Sequence, residues 1–174
     1  DIGQDPVNTD VFYVGTGESY TGTGGTGIFK STDHGITWTL LPSTTSGNFA
    51  YVNDVYVHTN GEVYASTATN GIARSTDGGQ TWERVLGAGL SGANDDNFHD
   101  FIYTEGNQYF YTSNSNSVFK STTGNRGDWT NIGTTMPGFP DFLTRVELAV
   151  CPSDPETIHV FGGIGGAAPD AFIS

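Results

Sequence analysis

Short runs in which apolar and polar residues alternate recur along the whole chain. The clearest cycle reads YVNDVYV (51–57), EVYAST (62–67), GIARS (71–75) and WERVL (82–86). Each run is rich in β-branched or aromatic residues and ends at Gly, Asn, Asp or Ser, which predicts four short strands. Asn60-Gly61 separates the first two and reads as a hairpin turn. The next cycle repeats the order: FHDFIYT (98–104), a turn at Glu105-Gly106-Asn107, QYFYTS (108–113), SVFKS (117–121) and WTNIG (129–133). No apolar run approaches the ~18 residues of a membrane-crossing helix.

The cycles share a punctuation mark. STDHGITW starts at Ser31, STDGGQTW at Ser75, and STTGNRGDW, one residue longer and with Thr123 in place of the acid, at Ser121. The spacings are 44 and 46 residues. Each mark follows a strand-like segment (GIFKS, GIARS, SVFKS) and precedes another (WTLL, WERVL, WTNI), and DAFIS (170–174) begins a further copy. DPVNTDVFYVGT from Asp5 aligns with CPSDPETIHVFG from Cys151, with Pro6 and Pro152 lying 146 residues apart. Antiparallel four-strand units at this period predict an all-β chain, a β-propeller of four-stranded antiparallel blades. About three and a half blades are expected: 1–42, 49–87, 97–133 and a partial 143–174. A propeller of roughly six to eight blades, completed by the rest of the same polypeptide, is the expected whole.

Charge narrows the partners. Nineteen acids against six bases give a net charge of −13. Nucleic acid and anionic membrane surfaces need cationic side chains, so neither is an expected partner, and no membrane insertion is expected. The acidic surface suits a secreted or cell-surface protein that meets neutral sugars or cations. A single cysteine, Cys151, excludes an internal disulfide and is expected to be a small buried hydrophobe.

The pattern Ser-x-Asp-x-Gly-x-x-Trp, complete at Ser31-Asp33-Gly35-Trp38 and Ser75-Asp77-Gly79-Trp82 and partial at Ser121 and Trp129, resembles the Asp-box or BNR repeat of β-propellers. Such repeats occur in sialidases, sortilin-like receptor domains, xyloglucan-cleaving glycoside hydrolases and many secreted bacterial proteins. Residues 13–41 look most like the last group, especially large secreted proteins of Bacteroidetes-type bacteria. The resemblance implies that the box is the turn between the third and fourth strands of a blade. In that role Asp33 and Asp77 accept backbone N–H groups, Ser31 and Ser75 close the turn, and Gly35 and Gly79 supply positive φ. Trp38 and Trp82 are expected to bury their rings against the blade, so that Trp38→Ala costs several kcal/mol. Repetition argues against catalysis, which needs one asymmetric acid and base. His34, replaced by Gly78 in the next box, reads as exposed and incidental, and Lys30, Arg74 and Lys120 as a solvated outer row pairing with nearby acids.

Up-and-down topology puts the boxes on one face and the second-to-third-strand and inter-blade loops on the other. Ligands are therefore sought in 15–26, 43–50, 87–97, 133–143 and 162–170. Three clusters stand out: Glu18 with Tyr20; Asp95, Asp96, His99 and Asp100; and Phe139, Asp141, Phe142 and Arg145. Acids beside aromatic platforms suit carbohydrate. No cofactor is expected, although Asp95 and Asp96 are weak candidate Ca²⁺ ligands, not spaced as in an EF-hand. A glycosidase needs two carboxylates about 5–10 Å apart, and a sialidase an arginine cluster, for which only Arg74, Arg84, Arg126 and Arg145 are present. The Asp-Ile-Gly-Gly run of xyloglucanase-type enzymes is replaced by FGGIGGAAPD. The expected function is a secreted or cell-surface binding module for glycans or surface proteins, with no catalytic residue in this chain. The alternatives are part of a glycoside hydrolase whose carboxylates lie partly in other blades, or a structural segment of a large exported adhesin.

Overall fold

The computed structural model describes residues 1–45, 47–93, 95–106, 108–136, 139, 143, 145–151, 153–163 and 170–173, with residues 155, 156 and 170–173 as backbone. The predicted strands form successive antiparallel meanders. The first sheet runs β1 (Ile2–Gln4), β2 (Phe12–Gly15), β3 (Ile28–Ser31) and β4 (Thr39–Leu40); the second β5 (Val52–Val57), β6 (Val63–Thr67), β7 (Ile72–Ser75) and β8 (Glu83–Leu86). The third runs β9 (Phe98–Thr104), β10 (Tyr109–Asn114), β11 (Ser117–Ser121) and β12 (Thr130–Asn131). The fourth has β13 (Val146–Cys151), β14 (Asp154–Gly162) and β15 (Asp170–Ile173). The register repeats: each box serine lies opposite an apolar residue at the start of the second strand, Ser31 against Phe12, Ser75 against Val63 and Ser121 against Phe110.

The sheets stack in chain order, with the first strands β1, β5, β9 and β13 as successive neighbours on the inside. Each seam has its own core. Tyr13, Ile28, Leu41 and Phe49 meet Val52, Val55 and Val63 at the first. Tyr64, Ile72 and Leu86 meet Phe98, Phe101, Phe119 and Trp129 at the second, and Tyr111 and Val118 meet Leu148, Ile158 and Val160 at the third.

The boxes are hydrogen-bonded turns. Ser31 Oγ donates to Asp33 Oδ1 at 2.7 Å and accepts Gly35 N–H at 2.9 Å. Asp33 then accepts Thr37 N–H at 2.9 Å and the Thr37 hydroxyl at 2.5 Å. The second box repeats these bonds through Ser75, Asp77, Gly79 and Thr81. Positive φ is needed at two successive positions, His34 (59°) and Gly35 (79°), then Gly78 (70°) and Gly79 (92°). A Cβ on Gly79 would also lie 2.5 Å from Leu41 of the preceding sheet, so glycine lets the box approach that sheet. In the third box the missing carboxylate comes from the far end of the turn. Asp128 Oδ2 accepts the Ser121 hydroxyl at 2.7 Å, Thr122 N–H at 3.0 Å and Thr123 N–H at 2.9 Å. Hydroxyl donors hold all three carboxyls down at about 2: Thr37 for Asp33, Thr81 for Asp77 and Ser121 for Asp128. Stability from these turns is therefore present above the ordinary carboxyl pKa near 4 and is lost as pH falls through about 2.

Three expectations are corrected. Trp38 is not buried: it is 37% exposed, and its indole N–H donates to Gly35 O of its own turn at 2.9 Å. Box tryptophans pack where another sheet reaches them, Trp82 against Phe49 at 5.4 Å and Trp129, 4% exposed, in the second seam beside Phe101. The periodic bases are not a solvated row. Lys30 Nζ donates to Gly78 O of the next box at 3.1 Å, and Arg74 bonds Asn125 of the third turn and pairs with Glu62. Lys120 lies 3.5 Å above the Tyr109 ring. Cys151 is only half-buried and contacts Ser153 Oγ.

Trp129→Ala is expected to cost about 3–5 kcal/mol and Trp38→Ala about 1 kcal/mol or less, measured by chemical denaturation. Equal losses would contradict the different packing of the two rings.

Candidate functional site

On the face opposite the boxes, the first strands open into a cavity of about 250 Å³. Glu18 and Tyr20 enter it from the β2–β3 loop, Asn53 from β5, His99 from β9, and Arg145 and Glu147 from the start of β13. The β2–β3 loop is steered inward by the second sheet. Gly25 N–H donates to Ala50 O at 2.6 Å, Ser19 Oγ to Asn53 Oδ1 at 3.0 Å, and the Tyr51 hydroxyl to Gly22 O at 3.3 Å. Asn53 Nδ2 in turn donates to Phe98 O at 2.6 Å, so one amide links three successive sheets at the cavity floor.

Tyr20 and His99 form the centre. The tyrosine oxygen and His99 Nδ1 are 2.6 Å apart, with the ring planes 15° from parallel and centroids 5.7 Å apart. That is an in-plane hydrogen bond rather than face-to-face stacking. His99 is 6% exposed, and its Nε2 is 3.1 Å from Ser115 Oγ. Burial first, then the nearby Arg145 charge, pushes its pKa down to about 4. The neutral ring therefore donates from one nitrogen and accepts at the other, bridging the Tyr20 and Ser115 hydroxyls. Burial also raises the Tyr20 pKa, which keeps its hydroxyl protonated. Tyr20 stays 45% exposed, and Arg145 lies 5.6 Å from its ring centre. Arg145 Nε donates to Glu147 Oε1 at 2.8 Å, which raises the arginine's pKa further. The cavity thus combines an aromatic surface, a fixed guanidinium, carboxylates and an amide. Such a set can match the hydroxyls of a polyol.

Four of the candidates read from the sequence, Glu18, Tyr20, His99 and Arg145, share this cavity. The other acids do not. Asp96 Oδ1 accepts from Arg84 Nη1 at 3.1 Å and from Ala88 N–H at 2.7 Å, and Asp95 accepts Asn97 N–H and Asn116 Nδ2. Both hold their own loop, and among the described residues no group of three or more His, Cys, Asp or Glu is placed to share a metal ion. Asp100 lies between first strands. Its Oδ2 accepts Leu148 N–H at 2.6 Å. Phe139 packs on the third core, while Asp141 and Phe142 lie outside the described residues. Asn53, Ser115 and Glu147 were not singled out in the sequence, because each reads there as an ordinary polar position in or beside a strand.

The model of the BNR/Asp-box repeat matches residues 29–40 and 73–84. A GH74 enzyme from Niastella koreensis superposes with a TM-score of 0.69 at 25% identity, over 99% of this chain and 28% of that one. The GH74 xyloglucanase from Xanthomonas campestris gives 0.71 at 18% identity, over 99% and 28%. PorZ, a bacterial surface component of the type-IX secretion system of Porphyromonas gingivalis, gives 0.61 at 17% identity, over 98% and 26%. The chain therefore spans roughly a quarter of the length of these structures. No curated protein matches it. No helix among the described residues is long and apolar enough to cross a membrane.

Nitrogen NMR of His99 is expected to show a neutral ring, protonated at one nitrogen, at pH 6; a charged ring there would contradict the assignment. Because its folded pKa is depressed, its contribution to stability is present above about pH 6.5 and fades as pH falls toward about 4. Tyr20→Phe leaves Nδ1 unpaired and should cost about 1–2 kcal/mol by thermal or chemical denaturation.

Proposed function

We propose that this chain, a part of a BNR/Asp-box β-propeller, is an extracellular binding module that holds a segment of neutral glycan in the Tyr20–Arg145 cavity. The observation that carries the reading is the cavity itself. Residues from four successive sheets converge there, on the face the boxes leave free, and Glu18, Tyr20, Asn53 and Arg145 do not repeat from blade to blade. Tyr20 offers apolar ring surface to a sugar ring. Arg145, Asn53, Glu18 and Glu147 offer donors and acceptors to hydroxyls. A net charge of −13 disfavours sulfated or sialylated chains, so the ligand class is uncharged. A volume of about 250 Å³ admits a short segment of chain and leaves the rest to neighbouring surface. Extracellular placement is supported by PorZ, which is a surface component, and by the acidic surface.

A second reading is part of a glycoside hydrolase. Two observations favour it: structures of GH74 enzymes superpose on the chain, and Glu18, Glu147 and Asp1 all line the cavity. One experiment separates the two. The chain is screened against a glycan array and, with neutral β-glucan and xyloglucan oligosaccharides, by calorimetry and by reducing-sugar release. Binding without release, weakened at least about tenfold by Tyr20→Ala and unchanged by Trp38→Ala, is the expected result; each tenfold is about 1.4 kcal/mol. Release abolished by Glu18→Gln or Glu147→Gln would replace the binding reading with the hydrolytic one. Failure to bind any neutral glycan would overturn both.

A further inference from the structure

Each sheet carries an acid at a corresponding place, Asp1 just before β1 and Asp54, Asp100 and Glu147 within the later first strands, spaced 53, 46 and 47 residues apart. The carboxylates of the first three reach sideways across a seam to the same backbone group of the next sheet. Val55 N–H donates to Asp1 Oδ2 at 3.4 Å, Phe101 N–H to Asp54 Oδ2 at 2.7 Å and Leu148 N–H to Asp100 Oδ2 at 2.6 Å. Phe101 N–H is also within 2.8 Å of Asp100 Oδ1, so the two carboxyls converge on one donor. Two carboxyls that share one donor lie close enough to repel when both are charged, and a proton placed between them removes that repulsion and bonds one to the other.

We propose that Asp54 and Asp100 share one proton and form a pH-sensitive clasp that joins the second sheet to the third, and through Asp100 the third to the fourth. Among the described residues, the surroundings leave the proton as the means of neutralising the pair. β1 presents Asp1, bonded to the residue after Asp54. β13 presents Glu147, whose negative charge bears on Asp100 and whose carboxylate is engaged by Arg145 at 2.8 Å. β6 sets the uncharged Ser66 opposite Asp54, and on β10 the Thr112 hydroxyl donates to Asp100 O at 2.6 Å. His99, next to Asp100, is turned to the cavity and is neutral above about pH 4.

Burial, then the adjacent Asp100 charge, raises the Asp54 carboxyl well above its ordinary range. A raised folded pKa gives stability that is complete below the unfolded value near 4 and is lost as pH rises through about 7. Above that range the clasp holds two half-buried negative charges side by side. His99 acts in the opposite sense over an overlapping range, so the clasp is read as a difference between variants rather than from one profile.

Asp54→Asn keeps the shape, offers Asp100 an amide N–H and has no proton to lose. Calorimetric Tm values of the parent chain and of D54N are compared at pH 5 and pH 8. The variant's Tm relative to the parent is expected to rise by on the order of 10 °C between these values. A difference independent of pH would overturn the clasp. Carboxyl ¹³C NMR of the parent chain tests it without a variant. One aspartate pair is expected to titrate near neutrality, and titration of every aspartate below pH 5 would overturn the proposal.

Discussion

Each interior sheet of this chain has to be covered on both faces at once. In β6 all five residues, Val63–Thr67, are buried, so side chains pointing to either side meet protein. A lone antiparallel sheet can leave one face to water, but these strands cannot. Every sheet is therefore completed by its neighbours, and each seam owns a separate apolar core. The rest follows from keeping the seams in register. The Asp-box turn is held close to the preceding sheet, near enough that a side chain on Gly79 would have to push Leu41 aside. Lys30 and Arg74 reach from one sheet to the next turn. On the inside, the row of acids fastens neighbouring first strands.

Carboxylates do three different jobs under this constraint. In the boxes, aspartates accept several hydroxyl and backbone donors, and their charged form is favoured. At the inner seam, Asp54 and Asp100 are half-buried, near each other and near Glu147, and their neutral form is favoured. In the cavity, Glu147 is tied to Arg145 at the surface. The acidity of the chain is thus not a uniform coat. Part of it is structural, and the direction of each perturbation follows from whether donors or burial dominate.

Much of the architecture could be read from the sequence. Period-two alternation placed the strands, because a pleated sheet imposes that period directly. The fourth strands are shorter than expected: WTLL contributes only Thr39–Leu40 and WTNIG only Thr130–Asn131, since each tryptophan belongs to the turn. The cavity was legible only in pieces. Sorting loops by face drew attention to Glu18, Tyr20, His99 and Arg145, but they are distant in sequence and are assembled by seam packing. Asn53 and Glu147 stayed hidden because a polar residue in a strand looks the same whether it faces water or a cavity. Asp95 and Asp96 looked like ligand groups because adjacent acids in a loop carry no record of partners such as Arg84, twelve residues earlier. Trp38 looked like Trp129 because a repeated motif does not reveal whether another sheet covers it.

The third box shows that what the turn demands is negative charge at a point in space, not an acid at a place in the alphabet. Asp128 fills the role of Asp33 and Asp77 although it enters from the opposite side of the loop. A pattern keyed to Ser-x-Asp sees two units where the hydrogen bonds close three. Blade numbers inferred from such signatures are therefore floors. Divergent blades can pass beneath detection by relocating a carboxylate while keeping its electrostatic task.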